Sequence, residues 1–199
     1  MSNRTTLEGT VALVTGANRG IGTALARLID VDLVVNNAGV ALGARLIGAA
    51  DLSAARQEME VNYFGLLRMC RAFAPILAAN GGGALINVLS ILARVASPAV
   101  GSYSASKASA LSLTQAVRAE LQAQGTRVIG VLPGYVDTDM AQRITAPKIQ
   151  PIEVVRATLD ALKTDQDEVY PGEVAAQIAA LLLQNPKAVE RQFAQSVAA

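Results

Sequence analysis

Tyr103 and Lys107 stand four positions apart in Ser102-Tyr103-Ser104-Ala105-Ser106-Lys107, and Ser90 precedes the tyrosine by 13 positions. On a helix, residues four apart project from one face, one turn from each other. An ammonium beside a phenol favours the phenolate, so this pair predicts a tyrosine drawn from its reference pKa of ~10 toward working pH. Such a group can both give and take a proton. The chain has no histidine and one cysteine, Cys70. That excludes Ser-His-Asp and Cys-His nucleophile systems, histidine metal sites and an intramolecular disulfide. Chemistry must therefore run on Tyr, Lys, Ser, Asn, carboxylates and a cofactor, with no metal site expected. Cys70, among apolar neighbours on an expected helix, reads as an inert core thiol.

A second signal precedes this one in the chain. Thr10-Val11-Ala12-Leu13-Val14-Thr15 is a continuous apolar run of the kind found in a strand buried on both faces of a parallel sheet. It runs into Gly16-Ala17-Asn18-Arg19-Gly20-Ile21-Gly22 and an Ala/Leu-rich helix start from Ile21 to Leu28. Strand, tight glycine turn and helix N-terminus bring backbone N–H groups and the positive dipole end to one point, where a pyrophosphate can sit. Further buried strands are expected at Asp32–Asn36, Ala84–Ser90 and Thr126–Leu132, with a short one at Glu168–Pro171. Long helices are expected from Asp51 to about Ala79 and from Tyr103 to Gln124, the latter closed by Gly125 as a C-cap. Pro151 opens another at its N-terminal turn, and helices over 174–183 and 186–194 complete the chain. Asn36 and Asn37 are turn formers by default. Asn87, inside a strand, reads as a local hydrogen-bonding group.

Composition sets the outer limits. The 199 residues are 52% hydrophobic and 17% charged, with a formal net charge of +1. One domain spanning 1–199 is expected, large enough for a sizeable core. Near-neutral charge without long runs of one sign argues against nucleic acid or an anionic membrane as partner. The N-terminus lacks the apolar core of a signal peptide. The uncharged stretch from Ala72 to Ala93 contains Pro75, Asn80 and three consecutive glycines, so it cannot form one spanning helix. A soluble, cytoplasmic protein is expected.

Glycine loop, Ser90 and Tyr103-xxx-Lys107, in this order and spacing, resemble the short-chain dehydrogenase/reductase family. The resemblance implies an α/β fold: a Rossmann-like, doubly wound parallel sheet with strand order 3-2-1-4-5-6-7. It implies that Gly16, Gly20 and Gly22 hold a dinucleotide, with contacts from Asn18, Arg19 and Ile21. Asn36-Asn37-Ala38-Gly39 matches the family's NNAG, so Asn37, Ala38 and Gly39 would border the cofactor. Asn62 matches the catalytic Asn that bends its helix and holds a water of the proton relay. Pro133-Gly134-Tyr135-Val136-Asp137-Thr138 matches PGxVxT, with Val136 and Thr138 at the nicotinamide carboxamide. The implied reaction is reversible hydride transfer between a nicotinamide and a carbonyl or secondary alcohol. Tyr103 would be the acid and base, Ser90 the partner of the reacting oxygen, and Lys107 the partner of both the phenol and the ribose. A small or medium apolar substrate would lie against Leu92, Val95, Tyr135, Met140 and Ile144. Arg19, placed for a phosphate contact, tilts the coenzyme toward NADP, with NAD as the alternative. The two long apolar helices resemble the family's dimer faces, so a homodimer or homotetramer is expected.

One departure stands out. From Gly22 to Asn36 is only 14 positions, whereas two intervening βα units would need roughly 50 residues more. The second and third βα units are missing, with the gap placed near 29–31. A short helix kept on its usual face would make a left-handed crossover, and about 98% of such connections are right-handed. Either that helix has changed face or the chain omits residues, and the regular pattern after Asn36 favours the omission. The missing adenosine half supports an alternative, a non-catalytic nucleotide-binding sensor or pseudoenzyme.

Overall fold

Short β-branched runs separated by helical stretches build one parallel sheet. The computed structural model describes residues 10–15 and 31–195. Within them, Ala12–Val14 (β1), Leu33–Asn36 (β2), Gly83–Val88 (β3), Thr126–Val131 (β4) and Glu168–Val169 (β5) pair in the order β1-β2-β3-β4-β5, every neighbour parallel. β1 lies beside β2 with Ala12 opposite Leu33, the adjacency implied for the family's first and fourth strands. The glycine motif Gly16, Asn18, Arg19, Gly20, Ile21 and Gly22, the helix start from Ile21 to Leu28 and most of the short crossover lie outside the described residues.

Strand residues alternate between two cores, as their period of two requires. Leu13, Val34, Leu85 and Val128 pack on one face with Cys70, Phe73, Leu77 and Leu111. Leu33, Ala84, Ile86, Ile129 and Val131 pack on the other with Ala161. β3 and β4 are thus buried on both faces, as their composition predicts. β1 is not: only Leu13 is buried, while Val14 within it and Val11 just before it are 51% and 44% exposed. The reason is position. β1 closes the described sheet, with β2 as its one partner.

The first long helix comes in three parts: Ser53–Met59 (α1), a π turn at Glu60–Gly65, and Leu66–Ala79 (α2). Gly101–Leu121 (α3) passes through a 3₁₀ turn at Gln122–Gln124 and ends at Gly125, whose φ of +75° is the left-handed C-cap. Pro151–Ala161 (α4) starts with a capping box in which Glu153 accepts from the Gln150 N–H. Glu173–Gln184 (α5) and Pro186–Ala194 (α6) follow. Among the described residues, no helix is long and apolar enough to cross a membrane.

Three side chains stitch the sheet to α3. The Asn36 Nδ2 donates to Asn87 Oδ1 at 2.9 Å, and Asn87 Nδ2 donates to Thr114 Oγ1 at 3.0 Å. Asn87 therefore bonds across elements rather than locally, because its register partner on β2 is another asparagine.

Candidate active site

Tyr103 and Lys107 occupy successive turns at the start of α3, as their spacing demands. Ser90 lies two residues beyond β3 and caps a 3₁₀ turn at Ile91–Ala93, its Oγ accepting from the Leu92 N–H at 3.2 Å. The Ser90 side chain is also near enough to the Tyr103 phenol to favour its charged form. Lys107 is 5% exposed and donates from Nζ to Val88 O at 3.0 Å, with Nζ 5.9 Å from the Tyr103 ring centroid. The strand end that positions Ser90 therefore also anchors the lysine.

Asn62 sits inside the π turn, buried, with both its amide oxygen and its amide nitrogen hydrogen-bonded. Its Oδ1 accepts from Val40 N, and its Nδ2 donates to Val40 O and to Ser106 Oγ, each at 2.9 Å. Ser106 in turn donates to the carbonyl of Tyr103 at 2.8 Å. Ser106 was not singled out from the sequence. The available signal is that a buried amide needs nearby partners, and a serine one residue before Lys107 offers one.

The expected pKa shift of the tyrosine is reversed. Burial pushes the Tyr103 phenol up to about 12; the Ser90 side chain pulls the other way, and the Glu58 charge adds to the rise. Lys107 is itself pushed down to about 8 by burial. Spacing alone suggests an ammonium at the phenol oxygen. In the folded chain the ammonium is tied to Val88 O and desolvated, so burial dominates both groups.

Lys107 also supplies a stability prediction. Its folded pKa lies below its ordinary value of 10.5, so the unfolded chain binds more protons between about pH 8 and 10.5, and stability rises with pH there. Burial raises the Cys70 thiol from 9.0 to about 12, which opposes the rise above pH 9. Tyr103 opposes it above pH 10. Between pH 8 and 9 the Lys107 contribution grows by on the order of 1 kcal/mol. Urea melts across this window show the rise in the unaltered protein and lose it in Lys107→Met; equal slopes would contradict a desolvated lysine.

The remaining predicted residues fall into two groups. Thr15 Oγ1 accepts from the N–H groups of Asn37 at 3.1 Å and Ala38 at 3.3 Å. A Cβ on Gly39 would lie 3.3 Å from both Asn62 Oδ1 and Lys107 Nζ. Asn37, Ala38 and Gly39 thus run directly past the Lys107–Asn62 pair. Pro133 O accepts from Ile91 N at 2.9 Å, joining the Pro133-Gly134 turn to the Ser90 segment. Val136 bridges Ile149, and Thr138 Oγ1 donates to Val136 O at 3.3 Å. The five substrate-pocket residues are more scattered. Val95 belongs to the core, Leu92 and Ile144 are half-buried, and Tyr135 and Met140 are exposed. They line neither of two cavities, one of about 550 Å³ beside Leu42–Ala54 and one of about 710 Å³ between α1, α2 and α3.

Fold and site together define an α/β protein with Ser90, Tyr103 and Lys107 grouped at the C-terminal ends of parallel strands, where such sheets bind ligands. A family model described as short chain dehydrogenase matches residues 23–149, more than half of the chain. The chain belongs to the short-chain dehydrogenase family. It is 40% identical over 129 residues to 1-deoxy-11-beta-hydroxypentalenate dehydrogenase of Streptomyces exfoliatus, covering 63% of this chain. It is 34% identical over 158 residues to cis-4-hydroxycyclohexanecarboxylate dehydrogenase of Sinomonas cyclohexanicum, covering 79% of this chain. The chain spans 46% and 61% of the lengths of these two relatives. A short chain dehydrogenase from Burkholderia cenocepacia J2315, solved in complex with NADP, superposes with a TM-score of 0.83 at 50% identity, over 87% of this chain and 73% of that one. A short-chain dehydrogenase from Sphingobium yanoikuyae in complex with NADPH gives a TM-score of 0.70 at 27% identity, over 81% and 65%.

Proposed function

We propose that the chain is an NAD(P)-dependent oxidoreductase of carbonyls and secondary alcohols, with Tyr103 as acid and base. The observation that carries this reading is Tyr103 and the buried Lys107 one turn apart on α3, with Lys107 Nζ 5.9 Å from the Tyr103 ring centroid and tied to Val88 O at the strand end that leads to Ser90. The names of the relatives, dehydrogenases of hydroxylated ring compounds, support the reaction class. NADP is the proposed coenzyme and NAD the alternative, since two similar structures hold NADP or NADPH.

The residues fit that coenzyme. An ammonium has three donors, and Lys107 Nζ spends one on Val88 O. Gly39 leaves its flank open where a side chain would crowd it. Lys107 would hold the ribose hydroxyls, and Asn37, Ala38, Gly39, Pro133, Gly134, Val136 and Thr138 would form the wall around the nicotinamide. When bound, the nicotinamide supplies or accepts the hydride and, oxidised, brings a positive charge that draws the phenol's pKa down. Tyr103 gives its proton to the carbonyl oxygen in reduction and takes it back in oxidation. Ser90 hydrogen-bonds that oxygen and stabilises its developing charge. Asn62 holds the strand-to-helix segment at Val40 against Ser106. Leu92, Val95, Tyr135, Met140 and Ile144 face a small or medium apolar substrate.

The test is consumption of NADPH and NADH with a panel of apolar ketones. Turnover with one coenzyme supports the reading. Coenzyme binding without turnover across the panel would favour the non-catalytic sensor.

The groove of about 710 Å³, lined by Met59, Tyr63, Leu67, Leu113 and Val117 among others, supports a homodimer or homotetramer packed on these helices. Sedimentation equilibrium is expected to give a multiple of the chain mass; a monomer across the concentration range would contradict this.

A further inference from the structure

The segment from Ala38 to Leu46 carries no regular secondary structure up to Ala44, yet every second residue of it is tied down. Ala38 N donates to Thr15 Oγ1. Val40 exchanges two hydrogen bonds with the Asn62 side chain. Leu42 N donates to Glu58 Oε1 at 2.7 Å. Ala44 O accepts from Ser102 Oγ at 3.3 Å. Leu46 packs so closely on α3 that a Cβ added to Gly101 would come within 2.8 Å of its Cγ. Alternate residues of an extended chain point to one side, and residues four apart on a helix share a face. Val40 and Leu42 are therefore matched to Asn62 and Glu58.

Glu58 is the unexplained member of this set. It is 0% exposed, and no ion pair joins it to another described residue. Its Oε2 is enclosed without a hydrogen-bond partner. Leaving a buried polar atom unmet is unfavourable, and an apolar side chain would avoid that cost. Only an acceptor can hold the Leu42 N–H, and Leu42 itself is 45% exposed, so apolar burial does little to fix it.

We propose that Glu58 is a positioning residue for the coenzyme side of the site: through Leu42 it fixes the strap Ala38–Leu46, and with it Gly39 against Lys107. The inference rests on the oxidoreductase reading above and adds to it a residue that touches neither substrate nor coenzyme. What matters is the reach and acceptor of the side chain. A glutamine provides both, an aspartate is one methylene too short, and an alanine provides neither.

The experiment compares Glu58→Ala, Glu58→Asp and Glu58→Gln in the whole chain, by amide hydrogen exchange without coenzyme and by NADPH fluorescence titration and steady-state kinetics. In Glu58→Ala and Glu58→Asp, exchange at Leu42 and Val40 is expected to quicken at least about tenfold. The NADPH dissociation constant and KM rise on the order of tenfold while kcat changes less than about threefold. Glu58→Gln stays within about twofold of the unaltered protein in exchange, in NADPH binding and in reduction near neutral pH, where the phenol is protonated in both. Unchanged exchange at Leu42 in Glu58→Ala, or a Glu58→Gln as impaired as Glu58→Ala, would overturn the proposal. Because exchange is read on the free protein, such a result is distinct from failure of the unaltered chain to bind NADPH, which would overturn the coenzyme reading.

Discussion

Tyr103→Phe is expected to lower turnover by roughly 10²–10⁴-fold, the usual contribution of a positioned general acid or base, while NADPH binds as before. The substitution removes one hydroxyl and leaves the ring. Lys107 stays on Val88 O, and Asn62 keeps its bonds to Val40 and Ser106. The phenol, pushed up to about 12 in the folded chain, is protonated throughout the neutral range and so ready to donate. Reduction should therefore be nearly flat with pH near neutrality, whereas oxidation, which needs the phenolate, should rise with pH. Steady-state rates in both directions, paired with fluorescence titration of the coenzyme, check the prediction. Loss of binding in step with turnover would mean that the tyrosine serves as a structural support.

Ser90→Ala is expected to cost on the order of 10²-fold in kcat, as removal of one donor from a developing oxyanion does. Two effects must be separated here, because Ser90 Oγ also caps the turn at Ile91–Ala93. Losing a cap costs about 1 kcal/mol of stability but leaves the chemistry of the folded protein intact. Thermal melts give the first effect and kcat the second. A destabilised variant with undiminished kcat would assign Ser90 to the turn alone.

Much of this was legible beforehand. The four-residue spacing of Tyr103 and Lys107 sufficed to put both on one helical face, and Gly125 marked where that helix stops. A strand-end serine alone reads as a turn or capping group; it was the 13-position offset of Ser90 from Tyr103 that marked it as a site residue. What a linear pattern cannot carry is the surroundings. The exposure of Val11 and Val14 depends on what lies beside β1. The direction of the Tyr103 shift depends on how deeply the phenol and ammonium are enclosed, which spacing does not report. Asn87 looked local because its partners, Asn36 and Thr114, are 51 and 27 residues away. The π turn at Glu60–Gly65 has no hydrophobic period to betray it; the bend around Asn62 was expected only through the family resemblance. Glu58 is the sharpest instance, since an acidic residue among Arg56, Gln57 and Glu60 reads as part of a solvated helix face, yet it is the one of these four that is buried.

The most direct test of the account is to supply NADPH carrying deuterium at the transferable position of the nicotinamide, together with an apolar ketone that the protein consumes, and to analyse the alcohol by mass spectrometry. The account predicts deuterium on the carbinol carbon and its loss in Tyr103→Phe at the same coenzyme occupancy. Bound NADPH that delivers no deuterium to any ketone of the panel would contradict it.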